Sequence, residues 1–222
     1  MRRWRSSARS TATGVPVRLL CSIPRGVDAE LGSQALGARA EIALCGISEA
    51  EASPLFDGLK LELARIESLF SLYRTDSALA QLNRDQILRN PDPSMLHLLS
   101  EARAVFTATE GAFDPTVQPL FDLHAGAFAE GRSVGADEVQ HVRRRVGFQH
   151  VPLSPQSIRF QRGGMALNLN GIAQGYATDR LAFFLKGAGL RHILVNAGEI
   201  RALGDGRGRD GVYRSPAAGP SH

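Results

Sequence analysis

Cysteine, tryptophan and lysine are nearly missing from this 222-residue chain, which has two cysteines, one tryptophan and only two lysines, Lys60 and Lys186. Cys21 and Cys45 lie far apart without metal-site spacing, and two cysteines do not make a disulfide framework. Cys45 closes an apolar segment and reads as a small buried hydrophobe. Lysine scarcity leaves no Gly-Lys-Ser/Thr phosphate loop, and there is neither a Gly-x-Ser-x-Gly elbow nor a His-Glu-x-x-His helix. No apolar run approaches the roughly 20 residues that span a bilayer, so no transmembrane segment is expected. The chain has no internal repeat.

What is there is an ordinary globular composition, 43% hydrophobic, with a formal charge of +4. The charge is lopsided. Residues 1–27 hold six arginines (Arg2, Arg3, Arg5, Arg9, Arg18 and Arg25) and no acid, contributing +6 to that +4, so residues 28–222 carry −2. A nearly neutral body argues against a nucleic-acid partner, and Trp4 among the leading arginines makes no stacking surface. Arg2-Arg3 could open an export leader, but Ser6 to Gly14 is polar, and Pro16 and Arg18 interrupt the only apolar patch. A leader needs an unbroken apolar core of about 7–15 residues. A disordered basic arm over 1–30 is the expectation. Residues 205–222, rich in Gly, Pro, Arg and Asp, read as a disordered tail. The glycines at 204–211 precede no helix, so they are not a dinucleotide fingerprint.

Between them, 31–204 carries the periodic patterns of one folded unit. Residues 36–45 alternate as a strand with Ala40, Ile42 and Leu44 on one face. Ser53-Pro54 reads as a helix start, and Leu55, Leu59, Leu63, Ile66 and Phe70 follow at helical spacing as core. Asp92-Pro93 introduces a helix over Ser94–Thr109. A short helix is expected near Asp137–Arg145, its Arg143-Arg144-Arg145 run solvated. Strands are expected at Ile158–Phe160 and Ala166–Leu169. A last helix ends at Gly187 or Gly189, before a hairpin of His192–Asn196 and Glu199–Leu203. The pattern implies an α+β fold, mixed or antiparallel sheets flanked by amphipathic helices.

The most informative stretch is Asn168-Leu169-Asn170-Gly171-Ile172-Ala173-Gln174-Gly175-Tyr176-Ala177-Thr178-Asp179-Arg180. An alternating segment breaks at Asn170-Gly171, and Ile172, Tyr176, Leu181, Phe184 and Leu185 then fall on one helical face. Such a junction offers unpaired N–H groups and a positive helix end to an anion such as phosphate. A turn that merely opens a packing helix has the same signature.

The stretch resembles the Asp-Leu-Gly-Gly-Ile-Ala-Lys-Gly-Tyr-Ala-x-Asp-Arg signature of the FAD:protein FMN transferases, the ApbE-like family. Three more blocks resemble that family in order: Phe70-Ser71-Leu72-Tyr73 through Leu82-Asn83-Arg84, Gly111-Ala112-Phe113-Asp114-Pro115-Thr116, and Asn196-Ala197-Gly198-Glu199-Ile200. The resemblance runs from about Leu31 to Gly204. It implies Mg2+-dependent transfer of FMN from FAD to a Ser or Thr hydroxyl of an acceptor protein, with release of AMP. It also implies a location in the bacterial periplasm or at the periplasmic face of the inner membrane, although the leader is unconvincing.

Carried over residue by residue, the resemblance puts Leu36 at the border of the flavin and Tyr73 against its ring. Ala112, Phe113 and Asp114 contact the dinucleotide, Asn168 and Gln174 stand at the family's Asp and Lys positions, and Gly171 offers a backbone carbonyl to Mg2+. No catalytic residue is named. Plainer readings stand beside these: Tyr73 as an aromatic at a helix exit, Asp114-Pro115 as a turn, Asn196-Ala197-Gly198 as a hairpin turn. Asn168 and Gln174 together replace a charged pair by neutral amides and forfeit charge-assisted hydrogen bonding. The family's late His-x-Ile-x-Asp-Pro-x-Thr-Gly motif, which supplies metal ligands and a histidine, is absent from this sequence. The expectation is therefore a C-terminally truncated relative, with His192 the nearest substitute and FAD or nucleotide binding without transfer as the alternative.

Overall fold

The computed structural model describes residues 29–44, 47–190, 193–197 and 199–203. The basic arm up to residue 28, Cys21, Cys45, His192 and the tail from 204 lie outside the described residues.

Two strands, β1 (Ala29–Ala35) and β2 (Ala38–Leu44), form an antiparallel hairpin closed by Leu36-Gly37. β2 also pairs with β5 (Ile193–Ala197), which pairs with β6 (Ile200–Leu203), giving an antiparallel sheet of order β1-β2-β5-β6. The register sets Ala40 opposite Ala197, Ile42 opposite Val195 and Leu44 opposite Ile193. All six are buried. Successive strand residues face opposite sides, so this register gives one continuous apolar face. The strand expected at 36–45 is thus β2, starting two residues later because Leu36-Gly37 turns the chain, and β1 is an element the sequence reading did not identify.

Helix α1 (Glu49–Phe70) buries Leu59, Leu63, Ile66 and Phe70 of the expected stripe, together with Ala52 and Leu69, while Leu55 is half-buried. It begins at Glu49, before Ser53-Pro54, which corrects the expected start. Ser48 and Glu51 form a reciprocal capping box, the Ser48 N–H donating to Glu51 Oε2 at 3.0 Å. With both ends of the box engaged, the helix tolerates the one backbone hydrogen bond that Pro54 removes.

Helix α2 (Ala78–Asp85), capped by Ser77, buries Leu79 and Leu82 and leads to β3 (Ile87–Arg89), which pairs with β4 (Ser157–Arg159). Helix α3 (Pro93–Ala108) starts on the Asp92 cap within a residue of expectation. Helices α4 (Gln118–Ala129) and α5 (Ala136–Arg143) follow, and α6 (Asn170–Gly187) packs between α1 and the sheet. The segment 166–169 joins no sheet, against expectation. Its ladder is supplied by a side chain: Asn83 Nδ2 donates to the Leu167 carbonyl at 2.9 Å and Asn83 Oδ1 accepts the Leu167 N–H at 2.8 Å. Leu167 and Leu169 point into the core as a strand's alternate residues would.

Candidate functional site

The residues singled out by sequence fall into two sets. The first surrounds the β1–β2 turn. Leu36 has φ +52° and Gly37 φ +81°, the left-handed pair required by a two-residue hairpin turn. Gly37 adopts that conformation freely, whereas a leucine there costs about 1–2 kcal/mol. Two contacts hold Leu36: its side chain is fully buried, and its N–H donates to Glu67 Oε1 in the last turn of α1. Tyr73 lies across the turn. A Cβ on Gly37 would come within 2.6 Å of the Tyr73 ring, so that ring rests directly on the glycine backbone while remaining 70% exposed.

The loop carrying Tyr73 is tied by the serines of its block. Ser71 Oγ accepts the N–H groups of Tyr73 and Arg74 at 3.2 and 3.3 Å. The Ser77 hydroxyl donates to the Ser71 carbonyl at 2.6 Å and accepts the Ala80 N–H at 3.0 Å. Arg74 pairs with Asp76, whose carboxyl is held below its usual range mainly by that hydrogen bond. A bare aromatic face thus stands on a loop whose backbone is fixed.

The second set surrounds the start of α6. Asp114 caps the turn at Pro115–Val117, its Oδ1 accepting the Thr116 N–H at 2.8 Å and the Thr116 hydroxyl at 2.6 Å. Asp114 Oδ2 accepts the Phe148 N–H at 3.3 Å, and the buried Thr116 Oγ1 accepts the Gly147 N–H at 2.7 Å. The carboxylate is thereby engaged by the fold, and the plainer turn reading describes it well. Asn168 is similarly occupied. Its Nδ2 donates to Gln118 Oε1 at 2.8 Å and its Oδ1 accepts the Asn170 N–H at 3.0 Å, while its own N–H donates to the Pro115 carbonyl at 2.7 Å. Exposed Ala112 and half-buried Phe113 sit beside this knot, the Phe113 ring 3.8 Å from where a Gly171 Cβ would lie.

The α6 junction is less open than its sequence implies. Leu169 O receives the N–H groups of Ile172 and Ala173, and Asn168 receives that of Asn170. Gly171 alone keeps an N–H without a partner in the first turn. Its carbonyl runs along the helix toward the next turn, as helical carbonyls do. Gly171 therefore shows a ligand one donor, and its carbonyl alone makes an incomplete metal site. Gln174, one turn on, has a half-buried side chain with no hydrogen-bond partner. Sequence reasoning missed Asn170, whose Oδ1 is buried without a partner where the resembled signature has glycine.

The second half of the signature is scaffold. Tyr176 packs edge-on against Phe70 with centroids 5.4 Å apart, Asp179 pairs with Arg201 of β6, and Arg180 pairs with Glu62 of α1 at 2.8 Å. A cavity of about 680 Å³ opens between α3 and α6, lined by Glu101, Val105, Ile172, Tyr176, Phe183 and Arg201 among others. None of the residues expected to touch flavin, dinucleotide or metal lines it. Among the described residues no three of His, Cys, Asp and Glu gather as a metal site.

Compared with known proteins, the ApbE family model matches residues 36–214. The chain belongs to the ApbE family. A FAD:protein FMN transferase of Klebsiella pneumoniae (strain 342) is 28% identical over 185 residues, covering 79% of this chain and 52% of that protein. One from Vibrio cholerae serotype O1 is 31% identical over 158 residues, covering 68% and 46%. The chain thus spans about half the length of the curated relatives it matches. Among solved structures, the flavin transferase ApbE from Vibrio cholerae superposes with a TM-score of 0.72 at 25% identity, covering 83% of this chain and 61% of that one. The apo flavinyl transferase ApbE of Pseudomonas stutzeri, at 22% identity and TM-score 0.69, shares the fold. The mixed helix and antiparallel-sheet architecture expected from the sequence is the architecture of this family's structures.

Proposed function

We propose that this ApbE-family chain takes part in transfer of FMN from FAD to a Ser or Thr hydroxyl of an acceptor protein. The observation that carries the reading is the family match over 36–214, together with relatives named as FAD:protein FMN transferases. In the reaction, the acceptor oxygen attacks the FMN-side phosphorus and loses its proton to solvent or a base. The bond from that phosphorus to the bridging oxygen breaks, and AMP leaves with the bridging oxygen. Chemistry of this kind depends on position and on neutralising phosphoryl charge. Tyr73 offers the isoalloxazine a flat face, and Leu36, whose own side chain is buried, supports it through the turn beneath the ring. The free Gly171 N–H at the positive end of α6 donates to a phosphate oxygen. Gln174 supplies neutral hydrogen bonds where the resembled signature has a lysine.

Mg2+ belongs to the proposal by resemblance and would neutralise phosphate charge. The described residues do not make its site by themselves, since Gly171 presents a donor, the Asp114 carboxylate is hydrogen-bonded within the fold, and no three of His, Cys, Asp and Glu gather among them. Mg2+ can be held largely by substrate phosphates and water. A second reading, FAD binding without transfer by this chain alone, rests on the same lack of a carboxylate or histidine cluster among the described residues.

The deciding experiment incubates the purified chain with FAD, Mg2+ and an acceptor bearing a reactive threonine. AMP release in step with covalent flavin on the acceptor supports transfer. FAD binding without AMP supports the second reading, and absence of FAD binding contradicts both.

A further inference from the structure

Glu67 belongs to no motif of the sequence reading, yet it joins the two parts of the flavin end. Its carboxylate accepts the Leu36 N–H, and its backbone carbonyl accepts the Ser71 N–H at 3.2 Å, where the Tyr73 loop begins. The N–H of the first residue in a two-residue hairpin turn points away from the strand ladder. Leu36 is 1% exposed, so that N–H needs a partner inside the protein. Leucine does not favour positive φ, and such a conformation persists only where the surroundings determine it. Gly37, the next residue, carries the Tyr73 ring on its backbone. A change in the turn therefore changes the support of the ring.

We propose that Glu67 is a positioning residue: it locks the Leu36-Gly37 turn and thereby sets the Tyr73 platform on which the isoalloxazine ring of FAD lies. The inference rests on the flavin reading of this site. It requires the acceptor oxygen of Glu67 at its present reach and does not require its charge. Glutamine keeps both the length and an acceptor oxygen, alanine removes the acceptor, and aspartate withdraws it by one methylene.

The test titrates riboflavin, FAD and ADP into the full chain and its variants, with thermal unfolding followed alongside. Glu67→Ala weakens riboflavin and FAD by about tenfold and leaves ADP as in the wild type. Glu67→Gln restores both flavin affinities to within about threefold of wild type, which a general loss of stability would not do. Should Glu67→Ala fail to fold, Glu67→Asp carries the test, weakening riboflavin and sparing ADP. The proposal is overturned if the variant that folds binds riboflavin as the wild type does. It is equally overturned if ADP weakens in parallel, or if Glu67→Gln fails as Glu67→Ala does. A wild-type chain that binds neither riboflavin nor FAD refutes the flavin reading itself. Wild-type binding with an unaffected Glu67→Ala variant refutes only the role of Glu67.

Discussion

Around the start of α6, polar side chains are turned inward, whereas around the β1–β2 turn an aromatic ring is turned outward. Asp114, Thr116, Asn168 and Gln118 form a hydrogen-bonded knot that joins the Pro115 turn, the Gly147-Phe148 turn and α6. At the other end, the Ser71 and Ser77 hydroxyls and the Glu67 carboxylate satisfy backbone groups, leaving the Tyr73 ring 70% exposed. The contrast teaches that polar residues in a motif can serve the scaffold while an aromatic one is left open to solvent. On the function proposed above, one region supplies rigidity and the other recognition, and substitutions can separate them.

The largest effect on stability belongs to the knot. Thr116→Val keeps the shape but strands the Gly147 N–H and one lone pair of Asp114 in a buried setting. Leaving buried groups unpaired costs about 2–3 kcal/mol here, read as a lower urea midpoint at unchanged slope. A loss below about 0.5 kcal/mol, the range of surface substitutions, would show that the knot is not a structural centre. Asn83→Leu comes next. It removes both bonds to Leu167 and costs about 2 kcal/mol, with faster hydrogen exchange expected at 165–169. Exchange unchanged there would mean that packing of Leu167 and Leu169 alone holds the segment.

A smaller effect is expected at Asp92, the cap of α3. Burial pushes its carboxyl up, but hydrogen bonds from Ser94 and the Arg65 guanidinium outweigh it and hold the pKa below the usual carboxylate range. A depressed folded pKa stabilises the fold above the unfolded value of about 3.9 and loses that contribution as pH falls through the folded pKa. Asp92→Ala costs about 1 kcal/mol at neutral pH, and the gap to wild type narrows on acidification below about pH 4. A gap that stays constant with pH would assign the effect to helix propensity and not to the charged cap.

Much of this architecture was legible in the sequence, because strong local signals and tertiary packing agree there. Asp92-Pro93 marks α3 to within a residue, and the apolar spacing of α1 describes most of its buried face. In α6 only Leu181 and Leu185 of the expected face are buried; the stripe runs instead through Ala173, Ala177, Thr178 and Ala182, with Ile172 and Tyr176 half-buried and Phe184 exposed. Errors arose where a local signal lost to a longer-range one. Ser53-Pro54 is a good start signal, but the Ser48–Glu51 box begins the helix a turn earlier. Segment 166–169 alternates as a strand does, yet the backbone of Leu167 is paired by a side chain 84 residues away in sequence. Helix α4 carries no clear local signal, because its Phe121 and Phe128 are exposed and blur the apolar stripe. In the site, residue types could be read but their commitments could not. Nothing in Asn168 or Asp114 announces that its hydrogen bonds are taken, and nothing local links Glu67 to Leu36 across the fold.

The smallest effect on stability is expected at Tyr73, and there the contrast is tested most directly. Its ring is exposed, so Tyr73→Ala shifts unfolding by less than about 0.5 kcal/mol. Stacking on an aromatic contributes about 1–3 kcal/mol, so the same substitution weakens FAD by about tenfold or more. Titration of FAD into wild type and Tyr73→Ala, with unfolding curves for both, measures the two quantities together. The account predicts coincident unfolding and a clear loss of FAD affinity. Equal FAD affinity in the two proteins would contradict it and remove the β1–β2 turn from the flavin site.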